Sequence, residues 1–375
     1  MLAVGVFTVG TDLFVLNGLL PTIAADLRVS ESTAGQLTTV FAATYAVGSP
    51  LIAAFTGHWD RRWLLAGGMV VFVVGMVGQA VGTTFAVLAL ARVVAAIGAA
   101  AFQSNAFVVA GATASEKTRG RALSWVATGL SVSSVLGVPI GVFVGAWLGW
   151  RGVMWAIAGI GVLVAVSLTG LPRVTVPAAG LRARLSVLVR PSVTRVLVIT
   201  TLGLTASFSV FVYLPVLAAS VAPGATISWV LMAFGVGSVA GNWLAGRWTD
   251  LAGPRRVRLV CLAGLVLTLA AMNAGLLTLP GLLVAVVASG VVGGMLMVPQ
   301  QHRLFTLAPD APTVALGLNG SAIYVGAGLG SALGGLLLAA TGPFWLAPAG
   351  ALVAVVAVVL ARENASAPAR EPLPA

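Results

Sequence analysis

One carboxylate stands inside the first apolar stretch of the chain, and its position gives it the greatest potential for chemistry. Asp12 lies in residues 8–27, TVGTDLFVLNGLLPTIAADL. A helix of about 20 apolar residues covers roughly 30 Å, so a helix from Met1 to about Ile23 puts Asp12 near the middle of a bilayer. A charge there costs about 2.5 to 3.5 kcal/mol and usually marks an ion, proton or substrate path. Asp12 is therefore a candidate proton acceptor; the alternative is a structural carboxylate that fixes helix packing.

A second charge, Arg92, lies within the fourth apolar run. It stands about 12 Å from the outer start of its helix near Thr84, and Asp12 stands about 16 Å from its own outer end, at about 1.5 Å per residue. The two depths are compatible with communication between Asp12 and Arg92. The alternative is that the long Arg92 side chain extends to the membrane interface.

Polar and aromatic side chains on other apolar runs are candidates for the lining of a central cavity. Three aromatic ones, Phe208, Phe211 and Tyr213, could contact an apolar or planar compound. For each candidate the alternative is ordinary packing or an interhelical hydrogen bond, worth about 0.6 kcal/mol in membranes. The predicted lining is Asn17, Tyr45, Gln103, Asn105, Phe208, Phe211, Tyr213, Asn319 and Tyr324.

The sequence contains no catalytic constellation. His58 and His302 lie far apart and have no metal-ligand spacing. No glycine-rich phosphate loop followed by lysine is present, which argues against ATP as a driving force. We therefore predict a protein that is not an enzyme and that needs no cofactor or metal.

The elements that carry these residues are apolar runs. Hydrophobic residues make up 59% of the chain and charged residues only 8%, whereas soluble domains carry about 25% charged residues. The composition predicts an all-α, multi-pass membrane protein. Twelve runs are predicted to span the membrane: about 1–23, 33–56, 64–82, 84–112, 121–145, 152–171, 195–218, 226–246, 256–279, 281–303, 313–341 and 344–361.

The net charge of +11 does not indicate a nucleic-acid partner. The placement of the basic residues instead indicates how the chain is oriented in the membrane. With twelve spans, all basic residues except Arg28, Arg92 and Arg151 fall on one side of the membrane. Basic loops face the cytoplasm, so both termini are predicted to be cytoplasmic. The preference for Arg over Lys suggests a bacterial chain, which is then located in the inner (plasma) membrane; the alternative is an archaeal source.

The runs divide six and six around a loop that is rich in proline and arginine. The predicted organisation is an N-terminal half at 1–172, a cytoplasmic linker at 173–194, a C-terminal half at 195–361 and a cytoplasmic tail at 362–375. A basic turn follows the second run and again the eighth, which indicates an internal repeat of the kind found in transporters. The turns hold the candidate gating residues Asp60, Arg61 and Arg62, and Asp250, Arg255 and Arg256.

Two runs also share a stripe of glycines. Gly137, Gly141 and Gly145 recur every fourth residue in the fifth run, and Gly326, Gly330 and Gly334 do so in the eleventh. Such spacing lets a neighbouring helix approach closely. Pro139 removes one helical hydrogen bond from the fifth run, so we expect a bent or flexible seam and count Gly137, Pro139 and Gly141 as gating residues.

Several of these stretches resemble the major facilitator superfamily, and within it the twelve-span drug:proton antiporters. The resemblance covers essentially the whole chain. It rests on the first-run signature from Gly18 to Leu27, on Leu90-Ala91-Arg92 with Gly98, on Arg119-Gly120-Arg121-Ala122, and on Gly137-Val138-Pro139-Ile140-Gly141 running to Gly149-Trp150-Arg151. It implies two pseudo-symmetric six-helix halves, and it implies proton coupling at Arg92.

One loop departs from the family pattern. When the loop after the second run is aligned with the family pattern at Arg61 and Arg62, Gly57 occupies the position at which the family has aspartate. The corresponding loop after the eighth run, from Gly246 through Asp250 to Arg255 and Arg256, keeps the pattern. We therefore expect Asp250 to matter more than Asp60 at an inner gate.

The sequence thus predicts a monomeric, proton-coupled antiporter that exports drugs or other amphiphilic small molecules by rocking of its two halves. Its partners would be protons, a small-molecule substrate and the lipid bilayer. One alternative is a proton-coupled exporter of sugars, nucleosides or amino acid metabolites, whose cavity needs several convergent hydrogen-bonding groups. Another, of a different class, is a membrane receptor or scaffold that does not transport.

Overall fold

The structure is a computed structural model that describes residues 1–56, 59–115, 118–174, 186–219, 221–222, 226–275 and 278–362. Within these ranges all regular structure is helical. Part of the predicted linker, residues 175–185, and all but the first residue of the predicted tail lie outside the described residues. So do His58, Gly57 and Lys117.

The helices in these described ranges make twelve spans, numbered here in chain order. Several of them are interrupted, and these interruptions coincide with glycine or proline. In order they are Leu2–Gly18 with Leu20–Leu27; Glu31–Phe55; Arg61–Val81; Phe85–Thr113; Arg119–Val132, Ser133–Gly137 and the start of Val138–Leu168; the remainder of Val138–Leu168; Pro191–Phe211 with Leu214–Ala218; Thr226–Ala252; Pro254–Gly275; Leu279–Met295 with Met297–Leu307; Pro312–Thr341; and Leu346–Arg362, preceded by the short helix Pro343–Trp345.

Length and composition support this count. In the described residues nine helices are apolar and long enough to cross a membrane, and the first pair, bent by 68°, makes ten. One of the nine, Arg121–Leu168, contains spans 5 and 6, because its backbone turns at Gly149, where φ is +70°. Span 2, of 25 residues, carries more polar side chains and completes the twelve. The predicted all-α, twelve-span fold class is confirmed.

Local sequence signals set the helix starts. Ser30 accepts a hydrogen bond from the backbone N–H of Thr33 and caps span 2. Asp60 caps span 3 and Thr84 caps span 4 in the same way. We call the end of the bundle that carries Asp26 and Arg151 the outer end, and the end that carries Arg61 and Arg62 the inner end.

The glycine stripe of span 5 packs against span 1. A Cβ added at Gly137 would lie 2.5 Å from Thr11 Oγ1, and one at Gly145 would lie 2.8 Å from Leu19 Cδ2. Residues 133–137, just before Pro139, form a π-helical turn. Such turns often mark functional positions within helices. Pro139 therefore lies beside an interruption of the regular α-helix, and this interruption faces the helix that carries Asp12. The bent or flexible seam itself stays a prediction.

The stripe of span 11 packs against span 7 and meets its backbone. A Cβ at Gly330 would lie 2.6 Å from the carbonyl oxygen of Thr205, and one at Gly334 would lie 2.5 Å from that of Ser209. The two stripes therefore perform the same task in the two halves, with tighter backbone contact in the second.

Spans 2 and 11 form a seam between the halves. At the outer end Ser32 donates to the carbonyl of Gly335, and Ser331 donates to the carbonyl of Gly35. Farther in, a Cβ at Gly328 would lie 3.3 Å from Ala42 Cβ. The halves are thus closed against each other from the outer end to mid-depth.

Candidate functional site

Asp12 and Arg92 form an ion pair between spans 1 and 4. Arg92 Nη1 lies 2.8 Å from each carboxylate oxygen of Asp12. Both side chains are 0% exposed. The two charges predicted from sequence to lie at similar depth therefore meet, and Arg92 does not extend to the interface.

Span 2 supplies the other contacts of Arg92. Its Nε donates to the carbonyl of Leu37 at 3.4 Å, and its guanidinium lies 4.2 Å from the ring centroid of Phe41. A cation over an aromatic face is attracted by the ring quadrupole. Arg92 Nη2 is buried without a hydrogen-bond partner among the described residues. The guanidinium is consequently held by one carboxylate, one backbone carbonyl and one aromatic ring, and Nη2 can still donate a hydrogen bond.

Two tyrosines from opposite halves stack beside this pair. The rings of Tyr45 and Tyr324 lie 3.6 Å apart with an interplanar angle of 21°. Tyr324 donates to Gln103 Oε1 at 3.0 Å, and Phe41 lies 6.4 Å from Tyr45. The charges of Asp12 and Arg92 both act on Tyr324. Five predicted site residues, Asp12, Arg92, Tyr45, Gln103 and Tyr324, therefore form one central cluster.

The three predicted asparagines lie apart from this cluster. Asn17 accepts from Thr38, Asn105 accepts from Arg61 near the inner end, and Asn319 accepts from Thr200. Each is at most 4% exposed. They do not converge on a shared surface in this conformation.

The predicted aromatic residues of span 7 belong to two other contacts. Phe211 stacks on Phe234 at 4.4 Å and meets Phe208 and Phe14 edge-on. Because Phe14 lies on span 1, this group also bridges the halves. Tyr213 instead donates to the carbonyl of Ser331, within the closed outer seam.

The basic turns at the inner end differ in their contacts. Asp60 accepts from the backbone N–H groups of Arg62 and Val174. The Arg61 side chain is 2% exposed and donates to Asn105, while Arg62 donates to the carbonyl of Leu171. In the second turn Asp250, Arg255 and Arg256 are exposed. The expectation that Asp250 matters more than Asp60 stays a prediction.

Three residues that the sequence did not predict contribute to these sites. Phe41, which supports Arg92, lies four residues before Tyr45 on the same helical face, and that spacing could have indicated it. Thr200 and Gln300, which are hydrogen-bonded to each other, gave no signal beyond their polarity in apolar runs.

Known proteins are similar to this chain in sequence and in architecture. The Major Facilitator Superfamily model matches residues 2–222 and 196–375. A chloramphenicol resistance protein of Streptomyces lividans is 37% identical, with 96% of this chain and 94% of that protein covered. The inner membrane transport protein YdhP of Escherichia coli (strain K12) is 32% identical, with 96% and 93% covered.

The fold agrees with a solved transporter as well. The crystal structure of a D-xylose-proton symporter matches with a TM-score of 0.77 at 17% identity, covering 96% of this chain and 95% of that one. Twelve spans in two halves, the paired glycine stripes and these matches lead to one conclusion. The chain belongs to the major facilitator superfamily of membrane transporters.

Proposed function

We propose that the protein is a proton-coupled exporter that exchanges protons for amphiphilic small molecules by rocking of its two halves. It would work as a monomer in the bacterial plasma membrane with both termini in the cytoplasm. The observation that carries the proposal is the fully buried Asp12–Arg92 pair beside the Tyr45–Tyr324 stack. The relationship to a chloramphenicol resistance protein supports drugs as the substrate class.

Asp12 is the proposed proton acceptor. A proton on its carboxylate would remove the negative charge that Arg92 contacts at 2.8 Å. A buried guanidinium without its counter-charge is costly, by about 3 to 5 kcal/mol in measured cases. Protonation would therefore favour a conformation in which Arg92 finds water or another acceptor. Inward proton movement would also gain about 2.3 kcal/mol per charge per 100 mV of membrane potential.

The contacts of Arg92 connect protonation of Asp12 to the seam between the halves. Arg92 rests on Phe41, Phe41 packs near Tyr45, and Tyr45 stacks on Tyr324 of the other half. A shift of the guanidinium would disturb this series of contacts at the point where the halves meet. Opening of the seam would separate the two tyrosine rings.

Separated rings would offer flat apolar faces to a substrate. Each tyrosine is almost fully buried here, 4% and 6% exposed, so both faces become available only when the halves part. A planar amphiphilic compound could replace the lost stacking, worth about 0.5 to 1.5 kcal/mol beyond area burial. A sugar or nucleoside exporter is less well supported, because Asn17, Asn105 and Asn319 are each engaged in separate internal hydrogen bonds.

The test is proton-coupled transport in everted membrane vesicles from a host that lacks its own drug exporters. Energised vesicles would receive a panel of planar cationic, planar neutral and sugar-like compounds, with chloramphenicol included. We expect planar amphiphiles to be taken up and to dissipate the pH gradient. Asp12→Asn should abolish both effects.

Glu31→Gln is the matched control, because Glu31 is an acid at the outer end of span 2, remote from Arg92 in sequence and depth. It should transport as the parent does. Uphill transport by Asp12→Asn equal to the parent would refute the assignment of the proton site. Absence of binding and of proton release with every compound would favour a scaffold instead.

A further inference from the structure

Four arginines gather at the inner end of the C-terminal half. Arg195 lies near the start of span 7, Arg255 and Arg258 lie near the start of span 9, and Arg303 lies near the end of span 10. The positive charges of Arg195, Arg255 and Arg303 all act on the guanidinium of Arg258. Those of Arg195 and Arg255 also act on Arg303. We call these four residues the arginine cluster.

The end of span 12 satisfies only part of the cluster. Arg195 donates from Nε and Nη2 to the carbonyl of Leu360, and Arg258 donates from Nη2 to that of Ala361. Cations are favoured at a helix C-terminus. Arg258 is nevertheless 0% exposed, and its Nε and Nη1 have no partner among the described residues, nor has Nε of Arg303.

Described acids do not supply the missing negative charge. Asp310 lies in the same half, and both its carboxylate oxygens accept from Arg190. Asp250 is exposed at the end of span 8, and it has no ion pair in the described part of the chain. A buried guanidinium without counter-charge is strongly unfavourable. An anion bound at the arginine cluster would therefore be stabilising, and the described residues do not supply one.

We propose that the arginine cluster is a phosphate-binding site. Guanidinium groups match phosphate oxygens with paired, charge-assisted hydrogen bonds. Exposed Arg255 and half-buried Arg195 and Arg303 lead from the surface to buried Arg258. Anionic lipids are concentrated at the cytoplasmic leaflet, where basic pockets between spans bind their headgroups. Headgroup phosphodiester and free phosphate share this chemistry, so the experiment separates them.

The test measures binding to the full-length protein in detergent, independently of transport. Purified protein would be titrated with phosphatidylglycerol, with phosphatidylcholine and with inorganic phosphate. Native mass spectrometry would count bound lipid, and the thermal unfolding midpoint would report stabilisation. The variants are Arg255→Gln/Arg303→Gln and a control, Arg247→Gln/Arg256→Gln, which removes two exposed charges at the same end that lie outside the arginine cluster.

We expect phosphatidylglycerol to bind and raise the unfolding midpoint of the parent and the control. The cluster variant lacks two arginines and should bind about thirtyfold more weakly, since each arginine near a membrane surface contributes about 1 kcal/mol. Inorganic phosphate acting in place of the lipid, with the same dependence on Arg255 and Arg303, would uphold the site and make a free anion its ligand.

Three results would overturn the proposal. The first is equal binding of phosphatidylglycerol by the parent and the cluster variant. The second is equal binding of phosphatidylcholine and phosphatidylglycerol by the parent. The third concerns Glu363 and Glu371, which follow span 12 in the sequence. If Glu363→Gln/Glu371→Gln lowers the midpoint and phosphatidylglycerol adds nothing to the parent, the counter-charge comes from the chain itself.

Discussion

The two halves bury polar groups of different kinds on corresponding spans. In the N-terminal half, spans 1 and 4 hold the ion pair of Asp12 and Arg92. In the C-terminal half, spans 7 and 10 hold a neutral contact in which Gln300 donates to Thr200, and Asn319 of span 11 accepts from the same hydroxyl. Only the first arrangement can change its net charge by binding a proton.

This difference suggests that the two halves of the repeated fold have different roles in transport. Losing one charge from a buried pair changes the energy by several kcal/mol, whereas an ordinary interhelical hydrogen bond in a membrane contributes about 0.6 kcal/mol. The N-terminal half is therefore suited to sensing the proton. The C-terminal half contributes Tyr324 and Gly328 of span 11, which pack against span 2 in the seam.

The largest expected effect is on the folded stability of the N-terminal half. Arg92→Met leaves the Asp12 carboxylate buried and unpaired, and we expect a loss of about 3 to 5 kcal/mol. Asn319→Leu removes one acceptor while Thr200 keeps its bond to the carbonyl of Val196, so its cost should be about 1 kcal/mol. Chemical unfolding in detergent would measure both.

The double variant Asp12→Asn/Arg92→Met checks that the charge is responsible. It removes both charges and should recover part of the stability that Arg92→Met loses. If Asn319→Leu proves as costly as Arg92→Met, the proposed contrast between the halves fails.

A second prediction concerns the seam itself. Ala42→Cys/Gly328→Cys joins spans 2 and 11, where the two Cβ atoms would lie 3.3 Å apart, close to the spacing of a disulfide. Oxidation should stop transport nearly completely, and reduction should restore it. Each single cysteine variant is the control, and the native Cys261 is buried. Undiminished transport by the fully cross-linked protein would show that this seam need not open.

The glycine stripes should differ in their tolerance of a methyl group. Gly330→Ala presses on the backbone of span 7 and should cost about 1 to 3 kcal/mol. Gly145→Ala presses on the end of the flexible Leu19 side chain, so we expect a smaller loss. Gly320→Ala, on the same helix as Gly330 but with no atom within 4 Å, is the control and should be neutral. Unfolding midpoints would rank the three.

The smallest effect is expected at an exposed ion pair of the C-terminal half. The Arg190 guanidinium lowers the pKa of Asp310 from 3.8 to about 2. Because the folded pKa is lowered, the pair stabilises the protein above about pH 4, and this contribution disappears as the pH falls toward 2. Asp310→Asn should lower the midpoint slightly at pH 7 and less at pH 3. A constant difference across this range would contradict the assignment.

Hydropathy and charge in the sequence predicted the architecture because a membrane imposes simple rules. The spans must be apolar and about 20 residues long, and a charge within a span is costly, so it is usually paired or functional. These rules identified Asp12 and Arg92, and the four-residue glycine spacing identified the close helix contacts. The boundary predicted between the fifth and sixth runs, after residue 145 and before residue 152, agrees with the backbone turn at Gly149 that separates spans 5 and 6.

The same rules could not tell which polar residues share a site. Asn17, Asn105 and Asn319 were grouped as cavity lining because each lies in an apolar run, yet their hydrogen-bond partners are in three separate places. The rotation of a helix about its axis depends on how neighbouring side chains pack. Hydropathy carries little of that information when a span is apolar on every side.

By itself, then, the sequence determined that this chain crosses a membrane in two similar halves and buries an acid and a base at comparable depths. Only the tertiary structure decided that these charges touch, that Phe41 supports Arg92, and that Tyr45 meets Tyr324 across the seam. The physical reason is that depth along a helix follows from counting residues, while contact between helices depends on packing among side chains distant in the sequence.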